Sequence, residues 1–217
     1  MRIAQVTDLE YAPGGGVEQS IINLVIGQKA RGDDPIVVVP KPGGLTRACE
    51  EYGIPVAIEP RLAGRMARPD MGPGEQARKA LDESRIALEE LSSLFTKSGV
   101  DVVHCHAPHS AMKAITAGNR SGIPCVFTHH IQRELRVPDL DFALIAVCRS
   151  HFEQLMKDGF PAERLHYVPN GTRSVPRGTD GLPSARLIFV GRLEHRKAPE
   201  IAILAMAELK RRHGPDC

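Results

Sequence analysis

Short apolar runs alternate with longer segments of helical periodicity along most of the chain. The run IVVV within 35–40 is continuous, which is typical of a strand buried on both faces of a parallel sheet. From Glu75 to Phe95 apolar residues recur at spacings of three and four, which is the period of one helix face. The pattern predicts strands at 2–7, 35–40, 55–58, 100–107, 124–130, 141–148 and 164–169, and helices at 17–30, 45–53, 75–95 and 149–159.

This alternation predicts the fold class. Strands separated by helices at this rhythm form βαβ units, and successive units build a parallel sheet with helices on both faces. The sequence therefore predicts an α/β domain with a Rossmann-like parallel sheet over residues 1–169.

The last part of the chain predicts a separate unit. Residues 170–185 are rich in Pro and Gly and have no apolar period, which indicates a linker. A strand at 186–190 and a helix at about 199–213 follow, so 186–217 reads as the first strand–helix unit of an incomplete second Rossmann-like domain. Residues 201–209 are apolar nearly all round, as in a helix packed inside a larger domain. This helix is also the candidate contact for a partner chain or for self-association.

Composition narrows the class of protein. The chain has 217 residues, 42% of them apolar and 25% charged, which is typical of a globular protein. From Arg173 onward nine basic residues oppose five acidic ones, but Phe189 is the one aromatic residue there, which argues against a nucleic-acid partner. Five cysteines without a CxxC pair indicate a reduced, cytoplasmic protein. No signal peptide or membrane-spanning run is predicted, and a peripheral membrane contact through the loop at 61–72 is left open.

A glycine loop lies between the first predicted strand and the first predicted helix. In YAPGGGVEQS (11–20), consecutive glycines that include Gly15 and Gly16 allow backbone N–H groups to approach an anion at a helix N-terminus. The loop has neither the GxGxxG pattern nor the GK[ST] of a P-loop. A tight turn without a ligand explains it equally well.

Histidines cluster at the carboxyl ends of two predicted strands, the edge at which open α/β sheets bind ligands. One group is His104, His106 and His109, and the other is His129 and His130. His104 and His106 are two residues apart and share a strand face. Imidazole suits zinc, yet no carboxylate lies nearby at ligand spacing, so packing and polar contacts are favoured over a metal site.

A basic turn precedes the last helix. In LIFVGRLEHRKAPE (187–200), Arg192 and Lys197 lie five residues apart across a turn and could converge on one anion. Two solvated basic side chains are the simpler interpretation of either residue alone.

Taken together, the motifs resemble those of the GT-B glycosyltransferases of family 4. The matching stretches are GGVE (15–18), DVVHCH (101–106), PCVFTHH (124–130), IAVC (145–148), VPNG (168–171) and LIFVGRLEHRKAPE (187–200). The resemblance implies two Rossmann-like domains with a nucleotide-sugar in the cleft between them. It implies retaining transfer of a sugar from a nucleoside-diphosphate-sugar to an acceptor hydroxyl, without a metal or other cofactor.

The resemblance also implies roles for particular residues. The backbone of Gly15 and Gly16 is expected near the diphosphate, and His130 faces the sugar being transferred. Arg192 and Lys197 neutralise the diphosphate leaving group, a preorganised electrostatic role. The remaining candidates, placed on the acceptor or sugar side, are Glu18, His104, His106 and His129.

Three departures from the family pattern qualify this interpretation. Arg173 stands where NGxD has Asp, and Ala198 stands where a Gly usually follows the Lys. The sequence also ends before the acidic pair Glu-x(7)-Glu and the closing helix of the family. We therefore expect a truncated acceptor-side domain that is inactive alone. The alternatives are a non-catalytic or split-subunit module completed by a partner chain and, less favoured, a metal-dependent hydrolase built on the histidines.

Overall fold

The computed structural model describes residues 1–8, 16–63, 75–130, 140–172, 188–191 and 193–214. The chain divides into two compact units, Met1–Arg173 and Ser174–Cys217, and each is described by itself. The loop at 61–72, the linker at 170–185 and the glycine loop lie wholly or largely outside the described residues, as do Gly15, Arg173 and Arg192.

Unit 1 contains a seven-stranded sheet in which every pair of neighbours is parallel, so the predicted α/β fold is confirmed. The spatial order is β3-β2-β1-β4-β5-β6-β7. The chain therefore builds outward from β1 on one side and returns to the other side of β1 with β4. This reversal of strand order is the switch point of the sheet, and it creates a crevice at the carboxyl ends of β1 and β4, where open α/β sheets bind ligands. The strands are β1 (Arg2–Val6), β2 (Asp34–Val39), β3 (Val56–Ile58), β4 (Val102–Cys105), β5 (Cys125–His129), β6 (Ala143–Ala146) and β7 (Leu165–Tyr167).

Five helices of unit 1 are described: α1 (Gly16–Ala30), α2 (Gly44–Glu51), α3 (Glu75–Lys97), α4 (Pro108–Arg120) and α5 (Arg149–Lys157). Helix α4 has no counterpart among the predicted elements. Its buried face is made largely of small residues, including Ala111, Ala114 and Gly118, so it carries little apolar signal. The packing there is close, since a Cβ on Gly118 would lie 2.5 Å from Cys125 Sγ. The described helices include none that is long and apolar enough to cross a membrane.

The two faces of the sheet are covered differently. Helices α3, α4 and α5 pack on one face and form the larger core, in which Leu91, Phe95 and Leu144 are fully buried. Helices α1 and α2 pack on the other face over the β1–β3 side, around Ile21 and Val37. On the β4–β6 side of this second face, no described helix provides comparable cover, and residues such as Ile145 are partly exposed. This open half of the sheet is where the candidate site lies.

The described residues of unit 2 include a 3-10 turn, His195–Lys197, and helix α6 (Pro199–His213). No residue of α6 is buried, and Ile203 and Leu204 are 70% and 66% exposed. Residues 188–190, the described part of the strand predicted at 186–190, are not in a strand. A strand needs a neighbour for its backbone hydrogen bonds, and the described residues of unit 2 supply none.

Candidate functional site

A cavity of about 710 Å³ lies between α1 and the open half of the sheet in unit 1. Polar side chains from β4 and β5 meet there, beside residues of α1 and the segment after β7. Its lining includes Ser20, Leu24, Gln28, His104, His106, Thr128, His130, Ile145, Asn170 and Thr172.

The pleat of β4 brings two histidines into this cavity. Alternate residues of a strand point to opposite faces, so Cys105 enters the larger core while His104 and His106 point the other way. Their ring centroids lie 4.4 Å apart. The predicted common face of His104 and His106 is therefore confirmed.

Hydrogen bonds tie the histidines to neighbouring strands. His106 Nε2 lies 2.6 Å from Gln5 Oε1, and His106 Nδ1 lies 3.2 Å from His130 Nε2. The Gln5 amide in turn donates from Nε2 to Gln28 Oε1 at 3.1 Å. His104 Nε2 is 2.7 Å from Thr128 Oγ1. The switch point thus holds a continuous polar chain that runs from α1 through β1 and β4 to the end of β5.

Burial keeps these imidazoles neutral near pH 7. Loss of solvation, followed by the nearby His130, lowers the pKa of His104 to about 4. Burial alone lowers the pKa of His130 to about 4. The pKa of His106 lies well below its usual value, again chiefly because of burial and then because of His104 and His130. Each neutral ring offers one donor and one acceptor, which suits polar recognition more than storage of a positive charge.

His129 and Glu18 are placed apart from this group. His129 points to the opposite face of β5 from His130, where its Nδ1 lies 3.1 Å from His151 Nε2 on α5. Burial, followed by His151 and His130, lowers the pKa of His129 to about 4. Glu18 is 5% exposed on α1, and its Oε1 would lie 2.8 Å from a Cβ on Gly44 at the start of α2. Of the four acceptor-side candidates, the structure therefore brings His104 and His106 to the cavity, together with His130.

Gly16 is the first residue of α1, at the end where the backbone N–H groups have no partner within the helix itself. This is the position that the anion hypothesis requires of it. Within the described parts of the chain, no group of three or more His, Cys, Asp or Glu side chains could hold a metal ion.

In unit 2, Lys197 ends the 3-10 turn with an exposed side chain. The next residue, Ala198, has φ 50° and ψ 49°, which is the left-handed conformation that Gly adopts most easily. The backbone at this position is therefore one that favours the Gly of the family pattern over the Ala found here.

Sequence reasoning missed the amide residues of the site. Gln5 is fully buried in β1 between Ala4 and Val6, and a buried Gln needs hydrogen-bond partners, which was the available signal. Ser20 Oγ donates to Asn170 Oδ1 at 3.1 Å and joins α1 to the VPNG stretch. That contact spans 150 positions of sequence and has no local signal.

Several solved structures share this fold. HepE of Anabaena in complex with UDP-glucose superposes with a TM-score of 0.56 at 14% identity, over 79% of this chain and 44% of that one. A glycosyltransferase of Rickettsia africae gives a TM-score of 0.57 at 16% identity, over 77% and 42%. MurG of Acinetobacter baumannii gives 0.54 at 13% identity, over 79% and 46%. The chain thus spans less than half the length of these structures, and at such identities the likeness shows the fold alone.

No curated protein sequence matches the chain. The sequence profile of Glycosyltransferase Family 4, in contrast, matches residues 14–173. That range contains β2 to β7 and the histidines of the cavity. Because the match covers well over half of the chain, the protein belongs to glycosyltransferase family 4.

Proposed function

We propose that this protein takes part in retaining transfer of a sugar from a nucleoside-diphosphate-sugar to an acceptor hydroxyl. The observation that carries the proposal is the histidine-lined cavity at the switch point between β1 and β4. A neutral imidazole nitrogen that is not bonded within the fold, such as His130 Nδ1, suits a hydroxyl group of a sugar. Membership of family 4 and the UDP-glucose bound to HepE support this donor class.

In this proposal His130 contacts the sugar being transferred, and the acceptor approaches from the side of His104 and His106. The backbone of Gly15 and Gly16 receives the diphosphate, because the N–H groups and the helix dipole at the start of α1 favour an anion. His129 and Glu18 support this region from within the fold, since both are buried.

Arg192 and Lys197 neutralise the negative charge that develops on the diphosphate as its bond to the sugar breaks. Fixed cations can meet this need without a metal ion. The exposed ammonium group of Lys197 and the neighbouring turn leave room for an anion to approach.

Ligand-observed NMR tests the site. UDP-glucose and GDP-mannose are titrated into the purified chain, and saturation transfer to the sugar protons reports which nucleotide-sugar binds. We expect His130→Ala to weaken transfer to the sugar protons, because it removes a direct polar contact. His109→Ala is the matched control, since His109 is exposed on α4. If His130→Ala and His109→Ala behave alike, His130 does not contact the sugar.

The cationic part of the proposal has its own test. Lys197→Ala should weaken binding of UDP by about tenfold to hundredfold, the value of one charge-assisted contact. Lys210→Ala, on the exposed surface of α6, removes the same charge elsewhere and should have little effect. Equal losses of affinity for UDP in the two variants would show a general charge effect and contradict a specific diphosphate contact.

A site completed by a second chain is the alternative that one observation favours. Helix α6 exposes Ile201, Ile203 and Leu204, and single exposed apolar residues are ordinary whereas a contiguous set is not. Light scattering at increasing concentration should then show association that Leu204→Glu abolishes. A monomer at every concentration would remove self-association from consideration.

A further inference from the structure

The hydrogen-bond chain at the switch point has a direction. Gln5 joins α1 to His106 through two different groups, an NH₂ that can only donate and a carbonyl oxygen that can only accept. Its Nε2 donates to Gln28 Oε1, and its Oε1 faces His106 Nε2. The separation of 2.6 Å at His106 suits N–H···O, because two nitrogen atoms that share a proton lie farther apart.

This direction fixes the proton on each ring. Because Gln5 presents an oxygen, His106 carries its proton on Nε2, and its Nδ1 is then an acceptor. The group facing that Nδ1 is His130 Nε2 at 3.2 Å, so His130 must donate from Nε2. The two rings are inclined by only 29° with centroids 5.5 Å apart, which lets the in-plane lone pair of one meet the N–H of the other.

The last atom of the chain is His130 Nδ1. It has no hydrogen-bond partner among the described residues, although it is buried. A neutral ring protonated on Nε2 leaves this Nδ1 with a lone pair, and a buried acceptor without a donor costs free energy until a ligand supplies one.

We propose that Gln28 and Gln5 act through His106 to fix the tautomer of His130, so that His130 Nδ1 accepts a hydrogen bond from a hydroxyl group of the bound sugar. Gln5, Gln28 and His106 are positioning residues in this scheme, since they act on the ligand only through His130. The identity of the ligand rests on the proposed function, whereas the tautomer does not. The ligand group that meets His130 Nδ1 must then be a donor, so an ether or a carboxylate oxygen at that position is disfavoured.

The tautomer can be read directly. Protein labelled with ¹⁵N-histidine and free of ligand is examined at pH 7 by long-range ¹H–¹⁵N correlation, which distinguishes a protonated ring nitrogen from a bare one. Single-histidine replacements assign the signals. We expect His106 and His130 both to carry the proton on Nε2. A proton on Nδ1 of His130, or a mixture of its two tautomers, would overturn the proposal.

Two variants test the chain of contacts. Gln5→Met removes both amide groups with a side chain of similar length, and we expect His130 to become a mixture of tautomers. Gln28→Met changes a part-exposed residue of α1 and should shift the tautomer populations of His130 in the same direction but by less. If Gln5→Met does not fold, Gln28→Met alone provides the test. His129 is the internal control, since its ring partner is His151 on the other face of the sheet. An unchanged His130 spectrum in both variants would overturn the proposal.

A binding experiment separates this inference from the proposed function. Gln28→Met should weaken the binding of UDP-glucose by about fivefold, the value of one hydrogen bond. It should leave the binding of UDP unchanged, because UDP has no transferred sugar. If neither ligand binds the unaltered chain, the proposed donor class fails while the NMR result on the tautomer stands. If Gln28→Met weakens the binding of both ligands equally, the role of the hydrogen-bond chain in sugar recognition is overturned.

Discussion

Units 1 and 2 start from the same kind of sequence and reach different degrees of burial. Both contain apolar residues at strand and helix spacings. In unit 1 these residues close a core on one whole face and half of the other face of a sheet. In unit 2 they line an open groove of about 550 Å³, and Val190 and Leu193 are 89% and 88% exposed.

The difference shows what an apolar pattern can and cannot specify. The pattern specifies a helix at 199–213 because a helix satisfies its backbone hydrogen bonds within itself. It does not specify a strand at 186–190, because the backbone groups of a strand must pair with another strand. The apolar side chains of unit 2 are compatible with a sheet, but the described residues of the unit form none.

A pair of leucine truncations should give the largest difference between the two units. Leu91→Ala removes a fully buried side chain of α3 and should lower the free energy of unfolding by about 2–5 kcal/mol, because it leaves a cavity. Leu204→Ala on α6 should change it by no more than about 0.5 kcal/mol, since that side chain is 66% exposed. Urea titration followed by circular dichroism measures both. A comparable loss in the two variants would mean that the apolar face of α6 is covered in solution.

Lowering the pH should destabilise unit 1 in particular. The buried rings of His104, His129 and His130 stay neutral down to about pH 4, whereas in the unfolded chain they take up protons below about pH 6.5. The unfolded state therefore binds more protons between these values, and stability falls as the pH is lowered from 6.5 toward 4. Each histidine contributes roughly 1.4 kcal/mol per pH unit in that window.

Urea titrations from pH 7 to pH 4.5 measure this slope. His104→Gln, which can still bond to Thr128, should make the slope shallower. His213→Gln, at the exposed end of α6, is the matched control and should leave it unchanged. A stability that does not vary between pH 6.5 and 5 would contradict the burial of these rings.

The smallest expected effect concerns the turn before α6. Ala198 adopts φ 50°, a conformation that costs a residue with a Cβ about 1 kcal/mol. Ala198→Gly should remove this cost and slow amide hydrogen exchange in the first turn of α6, where the Ile201 N–H bonds to the Ala198 carbonyl. Ala202→Gly, inside the helix, should speed exchange by a similar factor because Gly disfavours the helix interior. Faster exchange in Ala198→Gly would show that the left-handed turn is not formed in solution.

The sequence predicted the strands and most helices of unit 1 because each has a local apolar period. It did not predict α4, whose buried face of Ala and Gly differs little in hydropathy from a loop. Within the site it predicted that His104 and His106 share a face, since strand alternation is local. It grouped His129 with His130, although the same alternation sends neighbouring residues to opposite faces.

By itself, the sequence determined a parallel α/β domain with polar, histidine-rich strand ends, because strand period and residue type are properties of short segments. Only the tertiary structure decided which of these side chains meet. His106 bonds to Gln5 across 101 positions, a contact that exists because β4 returns to lie beside β1. The donor-to-acceptor direction of the hydrogen bonds along Gln28, Gln5, His106 and His130 depends on that adjacency. Adjacency between distant strands is set by the packing of the whole sheet.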